Sequence, residues 1–183
     1  MSPLFIVLIF VAAIAMYFVS IYNGLSVARQ KIKEAFADID TMLKKRFDLI
    51  PNLVETVKGY ATHESKLFED IAKYRATSIG NGSFEEKAEA SNMLSGALKT
   101  MFAVAENYPE LKANTNFLEL QQTLNQVEQD IQNSRRYYNG AVREFNNTLV
   151  VFPNNLVASM LGFKEEKYFE TAEEERQNVK VQF

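Results

Sequence analysis

Residues 3–61 read PLFIVLIFVAAIAMYFVSIYNGLSVARQKIKEAFADIDTMLKKRFDLIPNLVETVKGYA, and two patterns meet in that stretch. From Pro3 to Tyr22 no side chain carries a charge, and the first charge of the chain is Arg29. At a rise of 1.5 Å per residue, about twenty such residues span about 30 Å, the hydrocarbon thickness of a bilayer. The reading is a single transmembrane helix. A core helix that is apolar on every side would need a larger interior than a domain of this size provides. A cleaved signal peptide fits less well: Ala13 and Ala15 form a small-x-small pair, but no positively charged region precedes it and the apolar run continues beyond.

After the span the pattern becomes amphipathic. Apolar residues recur at Leu25, Ile32, Phe36, Ile39, Leu43, Ile50, Val54, Val57 and Ala61, in steps of three, four or seven, which is one face of a helix. Unbroken, the run from Ile32 to Ala61 is about 45 Å long. No linker separates it from the span. Pro51 removes a backbone donor inside the run and predicts a kink near Phe47. Gly59 weakens the helix end, and Thr62 offers a cap for the next start. Arg29, Lys31 and Lys33 follow the span whereas no Lys or Arg stands before it, so the positive-inside rule predicts a short N-terminus outside and a cytoplasmic C-terminal body.

A second stripe runs through Leu67, Ile71, Tyr74 and Ile79 to the turn Gly80-Asn81-Gly82-Ser83. A third carries Met93, Leu94, Ala97, Leu98, Met101, Ala105 and Tyr108 and stops at Pro109. Asn114 or Thr115 is the expected N-cap of a fourth, with Phe117, Leu120, Leu124, Val127, Ile131, Tyr138, Ala141, Phe145 and Leu149, closed by Pro153. Leu156, Val157, Met160, Leu161 and Phe163 form a short apolar turn expected to pack on one end of the body. The fold class is all-α: an N-terminal transmembrane helix continuing into an antiparallel four-helix bundle. The expected divisions are an anchor over 1–23, a helical bundle over 24–163 and a polar, mobile C-terminal tail over 164–183.

Composition narrows the chemistry. The 183 residues hold 20 Lys+Arg against 23 Asp+Glu, one His and no Cys. No disulfide, thiolate nucleophile or Cys-ligated metal can form, and a net charge of -3 argues against nucleic acid as a main partner. His63-Glu64 opens like a zincin motif, but Leu67 stands where the second His belongs. A di-iron helix site fails as well, since Tyr60 stands three residues before the only His. No Gly-x-Ser-x-Gly elbow or phosphate-cradling loop occurs, and Glu69-Asp70 and Glu85-Glu86 read as solvated faces. The expectation is therefore no catalytic residue, no cofactor-binding residue, no metal ligand, no cofactor and no identified small-molecule substrate. Lys44-Lys45-Arg46 and Arg135-Arg136 are the basic clusters, read as solvated faces or ion pairs within the body before any anionic-lipid patch. Asn23, Asp48, Asn52, Asn139 and Asn146 lie close to the apolar seams and are candidates for buried hydrogen-bonded positions; exposure at loop ends is the alternative.

The strings IYNGLSVARQKIKEAFADIDTMLKKRFDLIPNLVETVKGYATHE, AVAENYPELKANTNFLELQ and SRRYYNGAVREFNNTLVVFPNNLVASMLGF together resemble the LemA family of bacterial membrane proteins, over Tyr22 to Glu170. This chain has Phe36 where many relatives have Trp, Ser26 where an aliphatic residue is usual and Ser134 where Ala is common; none of these changes removes a chemical group. The resemblance implies one N-terminal membrane helix, a largely four-helix antiparallel body and no established enzymatic activity, with relatives tied to internal bacterial membranes and genes found near membrane proteases. The expected function is a non-enzymatic scaffold, anchored in the bacterial cytoplasmic membrane, that self-associates as a homo-oligomer and organises or shapes the lipid bilayer. The alternative is an adaptor or sensor docking another membrane protein, such as a protease.

Overall fold

The computed structural model describes residues 2–79 and 84–169. The Gly80–Ser83 turn and most of the expected tail, 170–183, lie outside the described residues. Six helices follow one another: α1 (Pro3–Lys58), α2 (Ser65–Ile79), α3 (Phe84–Ala105), α4 (Pro109–Lys112), α5 (Thr115–Val150) and α6 (Asn154–Leu161). No strand occurs among the described residues, so the all-α reading holds.

The helix ends follow from local chemistry. Gly59 ends α1, and its neighbour Tyr60 turns back with an N–H bond to the Val57 carbonyl at 3.0 Å. Asn114 is the cap of α5: its Oδ1 accepts the Phe117 amide at 3.1 Å, satisfying one of the free donors at the helix start. Pro109 opens α4 after the Glu106-Asn107 turn that ends α3. Gly162 closes α6 at φ 72°, where an L side chain would be strained, and sends the Phe163 amide back to the Ala158 carbonyl at 3.0 Å.

The chain divides into two compact units. Unit 1 takes Met1–Asp38 and Ser134–Tyr168; unit 2 takes Ile39–Asn133 and the chain from Phe169. In unit 1 every residue from 2 to 20 is exposed, and α1 contains there one segment long and apolar enough to cross a membrane. Beyond it Leu25, Ile32 and Ala35 of α1 are buried, as are Tyr138, Val142, Phe145 and Leu149 of α5. Rings join the elements of this unit: Phe163 lies 6.1 Å from Tyr22 and 6.4 Å from Phe145, and Phe36 lies 6.2 Å from Tyr138.

In unit 2 the buried positions of α1 are Ile39, Leu43, Arg46, Phe47, Ile50, Leu53 and Val57. Those of α3 include Ser91, Leu94, Leu98, Met101 and Ala105, and those of α5 include Phe117, Leu124, Val127 and Ile131. Each buried Leu or Ile contributes about 1.5–3 kcal/mol of transfer free energy. Pro51 sits inside α1, which continues through it to Lys58. The missing Pro51 donor leaves the Phe47 carbonyl without its helical partner, and Arg75 of α2 supplies one, Nε to O at 3.0 Å.

Two expectations about single positions are corrected. Phe36 and Val54 are half-buried while their neighbours Ala35 and Leu53 are buried, and in the short apolar turn only Val157 and Ala158 are buried, leaving Leu156, Met160 and Leu161 exposed. At about 100° per residue, steps of three and four both stay close to one face, so spacing alone does not choose between adjacent residues.

Candidate functional site

The most concentrated polar chemistry in unit 2 surrounds Arg46. Its side chain is 0% exposed, and it donates from Nη1 to Glu128 Oε1 and to Ser95 Oγ, each at 2.9 Å, and from Nη2 to Ser91 Oγ at 2.7 Å. Ser95 Oγ also bonds the second Glu128 oxygen, Oε2, at 3.2 Å. Arg46 Nε is buried without an acceptor. One guanidinium thus ties α1 to α3 and α5. Its fixed fork suits several acceptors at once, and the low-dielectric interior strengthens each bond while making a lone charge costly. Neither serine has a base beside it in this cluster, because Glu128 is held by Arg46 and the only His of the chain, His63, is exposed in the turn before α2. The cluster is built to fix helices against one another.

Reading Arg46 with Lys44 and Lys45 as a basic run is corrected for Arg46 in one respect: of the two readings, the ion pair within the body applies, and the solvated face does not. Lys44 and Lys45 are exposed, and Lys44 pairs with Asp48 at 3.3 Å. The missed signal is register. Position 46 falls in the series 39, 43, 46, 50, 53, 57, the alternating steps of four and three of a helical seam, and a charged residue there faces inward.

In unit 1 a second polar arrangement holds the segment after α6. The Asn146 side chain of α5 accepts the Glu166 amide on Oδ1 and donates Nδ2 to the Glu166 carbonyl, both at 2.9 Å, as a neighbouring backbone would. Tyr138 donates its hydroxyl to the Lys167 carbonyl at 3.0 Å, and Arg29 pairs with the Glu166 carboxylate at 3.1 Å. Burial, reinforced by the Glu166 charge, raises the Tyr138 phenol above its ordinary value of 10.0. The head of the expected tail, Lys164 to Phe169, therefore has specific partners, and Phe169 is buried.

Of the five seam candidates, Asn146 is half-buried with its amide fully used, and Asn139 is half-buried with a partner. Asn23, Asp48 and Asn52 are exposed. An open cleft in unit 2 is lined by Lys58, Thr62, Ser65, Phe68, Glu69 and Ala72, where the Lys58 ammonium lies 5.4 Å from the Phe68 ring. Among the described residues no group of three His, Cys, Asp or Glu side chains could hold a metal ion.

These features define an all-helical protein with one N-terminal helix that has the length and apolarity of a membrane span and with two internal polar clasps. The chain belongs to the LemA family, whose sequence model matches residues 35–183. It is 28% identical to Protein LemA of Metamycoplasma hominis, over 96% of this chain and 82% of that protein. It is also similar to Magnetosome protein MamQ 2 of Paramagnetospirillum magneticum, 22% identical over 81% of this chain, and to Magnetosome protein MamQ of Magnetospirillum gryphiswaldense, 21% identical over 81%. The chain spans 64% of the length of each of these magnetosome proteins. None of these names is that of an enzyme.

Proposed function

We propose that this protein is a non-enzymatic scaffold anchored in the bacterial cytoplasmic membrane, whose helical body self-associates and organises or shapes the bilayer. In this reading the body is an antiparallel four-helix bundle, the short N-terminus faces outward and the body lies in the cytoplasm, as Arg29, Lys31 and Lys33 after the span favour. The observation that carries the reading is α1: one helix runs from Pro3 to Lys58, fully exposed and apolar over its first turns and built into the polar-surfaced body afterwards. A helix without a flexible joint transmits the orientation of the body to the span, so lateral association of bodies would align many spans together. The kinship with proteins named for the magnetosome supports a membrane-organising role.

The test is the mass of the full-length protein in mild detergent and in nanodiscs, followed by imaging on vesicles. A discrete oligomer that alters vesicle shape supports the scaffold. A monomer that leaves vesicles unchanged overturns it.

A further inference from the structure

Unit 1 carries an apolar surface that its own packing leaves uncovered. Phe152 is 75% exposed and Met160 76%, with Val151, Leu156 and Leu161 each more than half exposed, whereas Val157 and Ala158 of the same short helix are buried. Leu156 and Met160 stand one turn apart on the outer face of α6, and Phe152 precedes it. No charged residue occurs from Phe145 to Phe163, between Glu144 and Lys164. A soluble surface rarely combines such apolar exposure with so long an absence of charge.

The position of this surface follows from contacts inside the unit. Phe163, directly after the Gly162 cap, meets Tyr22 at the end of the uncharged segment, and three residues later Glu166 meets Arg29. Arg29 lies seven residues past Tyr22, about 10 Å further along α1. The chain from Phe163 to Glu166 therefore runs beside α1 in the direction that leaves the span. It passes from a ring contact to an ion pair as α1 passes from apolar to charged sequence. α6 precedes Phe163 and so lies on the span side of that ion pair, where its outward residues meet the same leaflet.

We propose that α6 and the turn before it form a second, interfacial contact with the lipid bilayer, in which Phe152, Leu156 and Met160 enter the acyl boundary beside the point where α1 leaves it. This rests on reading Pro3–Tyr22 as a span. Such a short helix binds lipid through buried apolar area, and its tether to α1 at Tyr22 removes most of the cost of finding the surface.

The chain has no Trp, so single reporters can be placed without background. The full-length variants M160W, Y17W and E34W are reconstituted into phosphatidylcholine–phosphatidylglycerol vesicles with acyl chains brominated at known depths. The proposal expects M160W and Y17W to lose emission to brominated lipid, with M160W more sensitive to shallow than to deep bromines, and E34W to be unaffected. Quenching of Y17W alone, with M160W open to aqueous acrylamide, overturns the proposal and leaves the span standing. M160W shielded from both quenchers means that protein, such as a second copy, covers the patch, and also overturns it. Loss of quenching at both Y17W and M160W removes the span and the proposal together, and quenching of all three reports unspecific adsorption and overturns it too.

Discussion

Arg75 donates its Nε to the carbonyl of Phe47 at 3.0 Å, the one acceptor that Pro51 strips of its helical partner four residues later. A proline inside a helix costs about 3 kcal/mol, part of it from that orphaned carbonyl. A side chain on α2 returns part of the loss and locks α2 to α1 in doing so. Replacing Arg75 by Met is expected to destabilise the protein by about 1–2 kcal/mol, the worth of a charge-assisted bond to a partly buried acceptor. In a Pro51→Ala background the new amide serves the carbonyl, and Arg75→Met should then cost much less. Denaturant unfolding of the four proteins measures the coupling; strictly additive losses would show that the two residues do not share the carbonyl.

The Arg46–Glu128 pair is asymmetric. Arg46 is sealed in, whereas 25% of the Glu128 side chain reaches solvent. Removing Glu128 strands a buried cation, and Glu128→Ala is expected to cost about 3 kcal/mol or more. Arg46→Met keeps the packing volume and leaves a carboxylate that water can reach, so its loss should be nearer about 1–2 kcal/mol. Equal losses in thermal or denaturant unfolding would refute the burial argument. Lys44→Ala, which removes an exposed pair, is expected to change stability by less than about 0.5 kcal/mol.

The contrast between these two arginines and the apolar stripes shows what was legible beforehand. Leu94, Leu98, Met101 and Ala105, or Leu124, Val127 and Ile131, declare their burial because apolar identity and helical period agree. The Asn114 cap, the Gly59 end and the Pro109 stop are equally readable, each depending on the chemistry of one residue. Arg46 was hidden because its charge argues for water while its register argues for the core, and register wins only when Ser91, Ser95 and Glu128 converge from sequence-distant helices. Arg75 had no local signal at all, since its acceptor is a main-chain atom created by a proline on another helix. The candidate site was therefore much less visible than the fold around it.

Asn146 is expected to control the order of the segment after α6. Asn146→Ala removes two hydrogen bonds to Glu166 together, a loss of about 1–2 kcal/mol of local stability. Amide hydrogen exchange at Glu166 and Lys167 should then quicken by about 5–30-fold, as that energy range implies. Exchange within the first half of α5, in unit 2, should be unchanged. Unaltered exchange at Glu166 would mean that the side-chain clasp does not hold this segment.

Tyr138 gives the same clasp a dependence on alkaline pH. Burial, and then the Glu166 carboxylate, disfavour the phenolate, so the folded pKa lies above the unfolded value of about 10. Because the neutral form is the one favoured by folding, this contribution is fully present below about pH 10 and is lost as pH rises through the folded pKa. The chemistry agrees with the sign: a phenolate has no hydrogen to donate to the Lys167 carbonyl and repels Glu166. Tyr138→Phe should lower stability modestly at neutral pH, by about 1 kcal/mol, through loss of that bond. Between pH 9 and 11 the wild type should lose this advantage, so that the difference between the two proteins narrows. Unfolding midpoints measured in parallel across that range give the comparison, which also cancels the other tyrosines and the lysines that titrate there. A gap that stays constant to pH 11 and beyond would mean that the Tyr138 hydroxyl does not titrate as the partner of Lys167.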